Sequence, residues 1–323
     1  MIQLENKICS DLSGRFGVGL EDLKYLGGGR EDSDGIVYTF VKNQKRQVLK
    51  ICVKENQREV ERVKMKLEFA RYLGECGVPV AYPNYSEDGT VFQIVKEGKY
   101  IYYATIMDYI EGATPKLQEL DQKVVTQWGK MTGKMHAATK KYHIWDHLPG
   151  SDFQWGIEEE IDFFYHWCRN DIVKEKWIEI RNDMRSWEKD RNSYGLIHND
   201  NHQNNILLKG KELTLIDFDC AECTYLLQDL FVPVQGLLFD QTGGFERPIT
   251  NMESIKKFLG SFLAGYETEN HMEDKWLARF ETLLNYRRLL LYTVMQEWME
   301  ADEKIRNSFL GMIQNPCEFS ILR

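Results

Sequence analysis

The chain has 323 residues, of which 43% are hydrophobic, 28% charged and 12% aromatic, with 7 prolines against 24 glycines. This composition is typical of a folded globular protein and excludes fibrous and disordered chains. The net charge of −9 argues against general binding to nucleic acid or to anionic membranes, because both favour a basic face. At roughly 100–200 residues per domain, the length predicts two domains or one large two-lobed unit.

Targeting and membrane signals are missing from the sequence pattern. Residues 1–13 are polar and acidic, without the basic and apolar regions of a secretory signal. The longest apolar run, 231–239, is far shorter than the roughly 18 residues that cross a bilayer. Seven scattered cysteines suit a reducing compartment better than a disulfide framework. We therefore expect a cytoplasmic protein without a membrane segment.

The first third of the chain predicts a small antiparallel sheet with one helix. Residues 36–41 and 47–53 are rich in β-formers and flank a polar turn, which indicates a hairpin. Residues 55–74 are charged and proline-free, with apolar positions at helical spacing. Two further strands are predicted at 91–95 and 100–107. Residues 1–107 therefore form a predicted N-lobe.

The remainder, 108–323, predicts a larger and mainly helical lobe. Apolar residues repeat at helical intervals over 124–135 and 283–299. A short hairpin is predicted where 206–208 and 213–216 flank a turn at Gly210. This part holds 35 of the 50 acidic residues and all eight tryptophans. The predicted fold class is therefore α+β and bilobal.

The segment LIHNDNHQNNILLKGKELTLIDFD, residues 196–219, carries the chemistry. His198, Asp200 and Asn205 precede the predicted hairpin and Asp217 follows it, so a tight hairpin would gather oxygen-bearing side chains at one end. Phosphoryl transfer needs such a set, with one carboxylate to orient a hydroxyl and hard oxygen ligands for Mg²⁺. The joint spacing of the two motifs predicts a phosphotransferase site.

With this motif the chain resembles the aminoglycoside phosphotransferase and choline kinase superfamily, which has the protein-kinase-like fold. The loop of that family usually reads H-G-D-x-x-x-x-N, and its later strand ends in I-D-F or I-D-W. The resemblance extends over most of the chain, through VLKI, LEFARYLGECGVPVAYP, MDYIEG and GKMHAATKKY at residues 48–51, 67–83, 107–112 and 133–142.

The resemblance implies a role for each matching residue. Asp200 would be the catalytic base, and Asn205 and Asp217 would hold Mg²⁺. In the N-lobe, the nucleotide phosphates would be held by Lys50 and by the backbone amides of Gly28, Gly29 and Ser33. Hinge backbone at Asp108 and Ile110 would bond the edge of the adenine. The implied reaction transfers the γ-phosphoryl group of ATP, or alternatively of GTP, to a hydroxyl of a small molecule.

Neighbouring residues have expected supporting roles. We expect the His198 imidazole to hold the loop by a hydrogen bond to backbone, and Asp229 to brace the loop. Asn199 is expected to adopt the left-handed conformation where the family has glycine. Asn201 and His202 are expected to be solvated. Lys66 occupies the position of the family's helix glutamate, which leaves the partner of Lys50 open among the nearby acids Glu59, Glu61 and Glu68.

The acidic second part predicts a cationic acceptor, such as an amino sugar or a choline-like amine. The candidate counter-charges lie at 158–162, 267–274 and 297–303, and the candidate aromatic faces are Trp155, Tyr165 and Trp167. Two other functions remain open from the residues alone. The chain could be a Ser/Thr protein kinase of the same fold, or a catalytically weak nucleotide-binding protein.

Overall fold

The computed structural model describes residues 6–29, 35–116, 120–142, 156–241 and 252–314. The chain divides into two compact units. The first comprises residues 1–113 together with 207–219, and the second comprises 114–206 together with 220–323. The first unit therefore takes in a segment that lies about 100 residues further along the chain.

A five-stranded antiparallel sheet in the order β1-β2-β3-β5-β4 is the centre of the first unit. The strands are β1 (Lys24–Gly28), β2 (Gly35–Lys42), β3 (Lys45–Lys54), β4 (Gln93–Glu97) and β5 (Tyr100–Asp108). Asn43 and Gln44 both have positive φ, which is the conformation of a tight two-residue hairpin turn. The predicted strands and their connecting turns are confirmed, with small shifts of the ends.

In the described part of this unit there are two α-helices, whereas the sequence predicted one helix. The predicted helix is α2 (Gln57–Glu75), which begins after Asn56, whose side chain accepts a hydrogen bond from the Glu59 amide. The helix that the prediction missed is α1 (Asn6–Gly14), whose Ile8 and Leu12 are buried against the sheet residues Leu49 and Ile106. A single short helix gives too few apolar repeats to stand out in the sequence.

The predicted later hairpin is confirmed as β7 (Ile206–Lys209) and β8 (Glu212–Leu215), with Gly210 at positive φ in the turn. Backbone hydrogen bonds join this hairpin to the first unit. The Ala81 amide donates to the Leu215 carbonyl at 2.8 Å, and the Leu208 amide donates to the Ala113 carbonyl at 2.9 Å. These contacts fix the chain that leads to Asp217.

The second unit is mainly helical, as predicted. Its helices are α3 (Gln122–Thr139), α4 (Ile157–Trp167), α5 (Asp171–Met184), α6 (Gln228–Gln241), α7 (Met252–Tyr266), α8 (Asp274–Leu277), α9 (Phe280–Val294), α10 (Gln296–Glu300) and α11 (Glu303–Gln314). The apolar repeat predicted over 283–299 is not one helix, because it breaks at Met295 between α9 and α10. Over the described ranges, no helix has both the length and the apolar character needed to cross a bilayer.

One strand pair in this unit was not predicted. The strands β6 (Tyr194–Ile197) and β9 (Glu222–Tyr225) pair antiparallel and are buried along their whole length. Strands of four residues that are buried on both faces lack the alternation by which sequence reveals a strand. The pair fixes the start of the loop that carries Asp200.

Candidate active site

The loop that follows β6 is held through its backbone by Asp229 on α6. The amides of His198 and Asn199 donate to the two carboxylate oxygens of Asp229 at 3.0 and 2.8 Å. The Asn201 side chain donates to the Asp229 carbonyl at 3.2 Å. Asp229 is fully buried, so the expected bracing of the loop is confirmed.

Asn199 takes the backbone conformation that places Asp200 at the tip of this turn. Its φ is 64°, in the left-handed region that the sequence analysis expected for a residue in the place of glycine. Its side-chain oxygen accepts a hydrogen bond from Gln228 at 2.6 Å. This hydrogen bond to the Asn199 side chain offsets part of the backbone strain that a non-glycine residue has at positive φ.

Two expectations for this loop were wrong. Asn201 is fully buried rather than solvated, because its side-chain oxygen accepts a hydrogen bond from the Trp128 indole at 2.8 Å. His202 is only partly exposed, and its Nε2 lies 3.2 Å from Asp200 Oδ2. His198 behaves as expected, since its Nδ1 accepts the Asp200 amide at 3.2 Å and so fixes the loop.

The Asp200 carboxylate lies among hydrogen-bond donors. Oδ1 accepts a hydrogen bond from Arg287 Nη2 at 2.5 Å. Oδ2 accepts one from the side-chain nitrogen of Asn205 at 3.1 Å and faces His202. Burial alone would raise the pKa of Asp200. The His202 hydrogen bond and the Arg287 charge outweigh burial and hold that pKa well below its ordinary value. Asp200 is therefore a fixed anion at neutral pH.

Arg287 is the main residue of this loop environment that sequence reasoning missed. It lies on α9 and was seen only as one position in an apolar helical repeat. Its side chain is 11% exposed. An arginine inside an apolar repeat is the signal that could have identified it, because a buried guanidinium needs an anionic partner.

Asn205 is positioned by Asp200 itself. Its side-chain nitrogen donates to the Asp200 carbonyl at 2.8 Å as well as to the carboxylate. The amide nitrogen is thus committed to the loop. The side-chain oxygen is the atom that Asn205 can offer to a cation.

In the first unit, the side chains of Lys50 and Asp217 lie in contact. Lys50 Nζ lies 3.2 Å from Asp217 Oδ1 and 2.5 Å from Asp219 Oδ2. Burial alone would lower the pKa of Lys50, but the carboxylates of Asp219 and Asp217 raise it above its ordinary value. Asp217 has a φ of 65°, a strained conformation of a kind that clusters at functional sites.

The partner of Lys50 is settled by these distances. Glu59 accepts hydrogen bonds at the start of α2, Glu61 accepts from Gln57, and Glu68 lies near Lys64. The carboxylates that pair with Lys50 are instead those of Asp217 and Asp219. Lys66, also on α2, donates a hydrogen bond from Nζ to the Asp219 carbonyl at 2.6 Å.

A cavity of about 180 Å³ lies in the first unit beside these side chains. Its polar wall is formed by Lys50, Asp217, Asp219, Arg62 and Lys66, together with Lys54 and Glu59. Its apolar wall is formed by side chains of α2, β5 and the segment after α2. A polar end with four basic and three acidic side chains next to an apolar end is suited to part of an amphipathic ligand.

The other predicted nucleotide contacts are distributed along this unit. Gly28 and Gly29 have φ of 84° and 71°, and a Cβ on Gly28 would overlap the Gly35 carbonyl oxygen. Asp108 ends β5, and its Oδ1 accepts hydrogen bonds from Gln47 and Asn84. Ile110 follows β5 and is half-buried. Ser33 lies outside the described residues.

A model of the phosphotransferase enzyme family matches residues 23–270. The chain is 24% identical to amicoumacin kinase of Bacillus subtilis (strain 168) over 301 residues, which cover 92% of this chain and 87% of that protein.

Solved structures share the fold. Amicoumacin kinase hAmiN in complex with AMP-PNP, Ca²⁺ and Ami superposes with a TM-score of 0.81 at 19% identity, over 99% of this chain and 98% of that chain. A microcompartment-associated aminopropanol kinase superposes with a TM-score of 0.67 at 15% identity, over 94% and 93%. The predicted fold class, family resemblance and kinase activity are confirmed, and the chain belongs to the phosphotransferase enzyme family.

Proposed function

We propose that this enzyme transfers the γ-phosphoryl group of ATP to a hydroxyl group of a small molecule, with Asp200 as its catalytic residue. The observation that carries the proposal is the environment of Asp200. A fixed carboxylate with a lowered pKa lies in an H-x-D-x-x-x-x-N loop whose backbone is held by Asp229.

Asp200 would act mainly by orienting the acceptor hydroxyl. Phosphoryl transfer passes through a largely dissociative transition state, so positioning and charge neutralisation supply most of the catalysis. A carboxylate with a lowered pKa is a weak base but a reliable hydrogen-bond acceptor. The hydroxyl proton would pass to Asp200 late, as the new oxygen–phosphorus bond forms.

The residues present fit a hard divalent cation. Asp217 offers a carboxylate, and Asn205 offers the amide oxygen that its hydrogen bonds to Asp200 leave available. Mg²⁺ prefers such oxygen ligands and also keeps water and phosphate oxygens. The ion would supply neutralisation of the charge on the transferring phosphate. We assign Asn205 and Asp217 to this ion on the chemistry of their donor atoms.

The nucleotide would be bound by the first unit. Lys50 would contact its phosphates, and the amides of Gly28, Gly29 and Ser33 would face them. Backbone groups at Asp108 and Ile110 would bind the base, with GTP as the alternative to ATP. Support comes from the left-handed conformations at Gly28 and Gly29, which let backbone approach a ligand closely.

We also propose that the acceptor is cationic, and support comes from the aminopropanol kinase and the aminoglycoside phosphotransferases among the structural neighbours. The first candidate cluster does not support this proposal. Glu158 pairs with Lys189, Asp162 pairs with Arg181, and the buried Glu160 accepts a hydrogen bond from Tyr286. Of the aromatic candidates, Trp155 lies outside the described residues. Trp167 is 41% exposed and stacks on Phe164.

ATP turnover with amino alcohols and amino sugars, each matched with its neutral analogue, would test both the proposed phosphoryl transfer and the proposed cationic acceptor. With an active acceptor, Asp200→Ala should lower kcat by about 10²–10⁴-fold and leave ATP binding unchanged. Asp217→Asn should instead raise the Mg²⁺ concentration needed for half-maximal activity. The exposed Glu159→Ala serves as a control in the second unit.

Turnover of Asp200→Ala within a few-fold of wild type would remove this residue from the mechanism. Equal turnover of charged and neutral acceptors would contradict only the proposal that the acceptor is cationic.

A further inference from the structure

We infer that Asp219 and Lys66 are positioning residues for Lys50, with Asp219 paired to the Lys50 ammonium and Lys66 bound to the backbone of Asp219. The inference rests on the proposed role of Lys50 in binding nucleotide phosphates. It assigns functions to two side chains whose roles the sequence pattern left open.

The first step is the choice of carboxylate that holds Lys50. Its ammonium lies 2.5 Å from Asp219 Oδ2 and 3.2 Å from Asp217 Oδ1. If Asp217 is a metal ligand, its charge is shared with the cation. Asp219 is then the carboxylate that remains to balance and orient Lys50, whose side chain is 17% exposed. A charged hydrogen bond at this depth is stronger than one in water.

The second step is the attachment of Asp219 to α2. Lys66 Nζ donates to the Asp219 carbonyl at 2.6 Å, and one turn further along the helix Phe69 packs edge-on against Phe218 at 6.1 Å between ring centroids. These two contacts tie the helix to the segment that follows β8. Lys66 therefore acts on Lys50 through the backbone of Asp219.

The third step explains why position 66 is basic in this chain. A glutamate there would lie against the Asp219 carbonyl and close to the Asp219 and Asp217 carboxylates, where like charges repel. Lys66 and Asp219 also line the wall of the cavity beside Lys50.

The test uses full-length enzyme and two readouts, steady-state kinetics and direct titration with a non-hydrolysable ATP analogue and Mg²⁺. Asp219→Asn and Lys66→Met should each weaken nucleotide binding by about 10-fold or more, the loss expected for a charged hydrogen bond. The KM of the acceptor should stay unchanged. Lys66→Arg should retain most of the affinity, since a guanidinium can still donate to the carbonyl. Lys64→Met is the matched control, because Lys64 is exposed on the same helix.

Two further variants separate this network from general structural damage. Lys66→Glu should bind nucleotide more weakly than Lys66→Met. If it binds as well as wild type, a helix glutamate can serve Lys50 here and the inference is overturned. In a Lys50→Met background, Asp219→Asn and Lys66→Met should add little further loss, because they act through Lys50. If the losses of nucleotide affinity were fully additive with that of Lys50→Met, the inference would also be overturned.

The outcome is distinguishable from failure of the proposed function. A wild-type enzyme that binds no nucleotide and transfers no phosphate would contradict the function itself. An active wild type whose Lys66→Met and Lys64→Met variants behave alike would contradict only the positioning network.

Discussion

Arg287 and Asp200 form an ion pair in which each side chain depends on the other. Asp200 is 19% exposed and Arg287 is 11% exposed, so neither charge is well solvated. Removing one partner from such a pair leaves the other uncompensated. Because the Arg287 charge helps to lower the pKa of Asp200, it keeps the carboxylate ready to accept a hydrogen bond across the physiological pH range.

We expect Arg287→Met to lower kcat/KM for the acceptor by about 10-fold, since it removes a charged hydrogen bond from Asp200, the proposed catalytic carboxylate. The variant should also raise the pKa of Asp200, so activity should begin to fall at a higher pH on the acid side. A pH–rate profile measures this shift, and Arg287→Lys should restore part of it. Arg169→Met, at an exposed position, is the control. An unchanged acid limb would show that Arg287 does not tune Asp200.

The helices α3 and α7 approach so closely that glycine is required where they meet. A Cβ on Gly129 would overlap the Phe262 carbonyl oxygen, and one on Gly265 would overlap the Thr126 carbonyl oxygen. Because of this approach, α3 can present Trp128, whose indole holds Asn201 in the loop that carries Asp200. Glycine disfavours a helix interior by roughly 0.5–1 kcal/mol, so tertiary packing must offset that cost.

We expect Gly129→Ala to lower the free energy of unfolding by about 1–3 kcal/mol, because the added methyl group has no space between the two backbones. Gly260→Ala on α7 is the matched control. It is exposed, and a Cβ there meets no atom within 4 Å, so its helix propensity should make it neutral or stabilising. Chemical denaturation measures both. Equal effects of the two substitutions would contradict this account of the helix contact.

A buried network joins the loop that carries Asp200 to the core of the second unit. His136 is fully buried, with Nδ1 at 3.0 Å from the Tyr266 hydroxyl and Nε2 at 3.3 Å from Asp229 Oδ2. Both ring nitrogens of this core histidine therefore have partners. Burial lowers the pKa of His136 below its ordinary value of 6.5, although Asp229 opposes the shift. The folded protein therefore holds His136 neutral where the unfolded chain would protonate it.

This difference predicts a loss of stability in mild acid. Below about pH 6.5 the unfolded chain binds a proton that folded His136 does not, so the contribution of His136 is present above that pH and is lost as the pH falls. We expect His136→Gln to flatten the decline of the thermal midpoint between pH 7.5 and 5.

The pKa of the exposed His271 shifts in the opposite direction, because its hydrogen bond to Glu267 raises that pKa. His271→Gln should therefore steepen the decline or leave it unchanged. If His136→Gln declined as wild type does, His136 would not be the group that titrates.

Local patterns predicted much of this protein. The hairpin of β2 and β3, the helix α2 and the later hairpin were predicted because each is specified by apolar periodicity and turn residues within a few positions. The phosphotransferase motif was visible for the same reason, since Asp200, Asn205 and Asp217 lie within one short segment of sequence.

Other features depend on contacts between residues far apart in the chain. The pairing of β6 with β9, the Arg287 guanidinium beside Asp200 and the link from Lys66 to Asp219 join residues about 30, 87 and 153 positions apart. No periodicity encodes such contacts, because they arise only when packed elements bring side chains together and burial then demands a partner for each charge. The sequence therefore specified which groups are available for phosphoryl transfer, and the tertiary structure decided which side chains hold them in place.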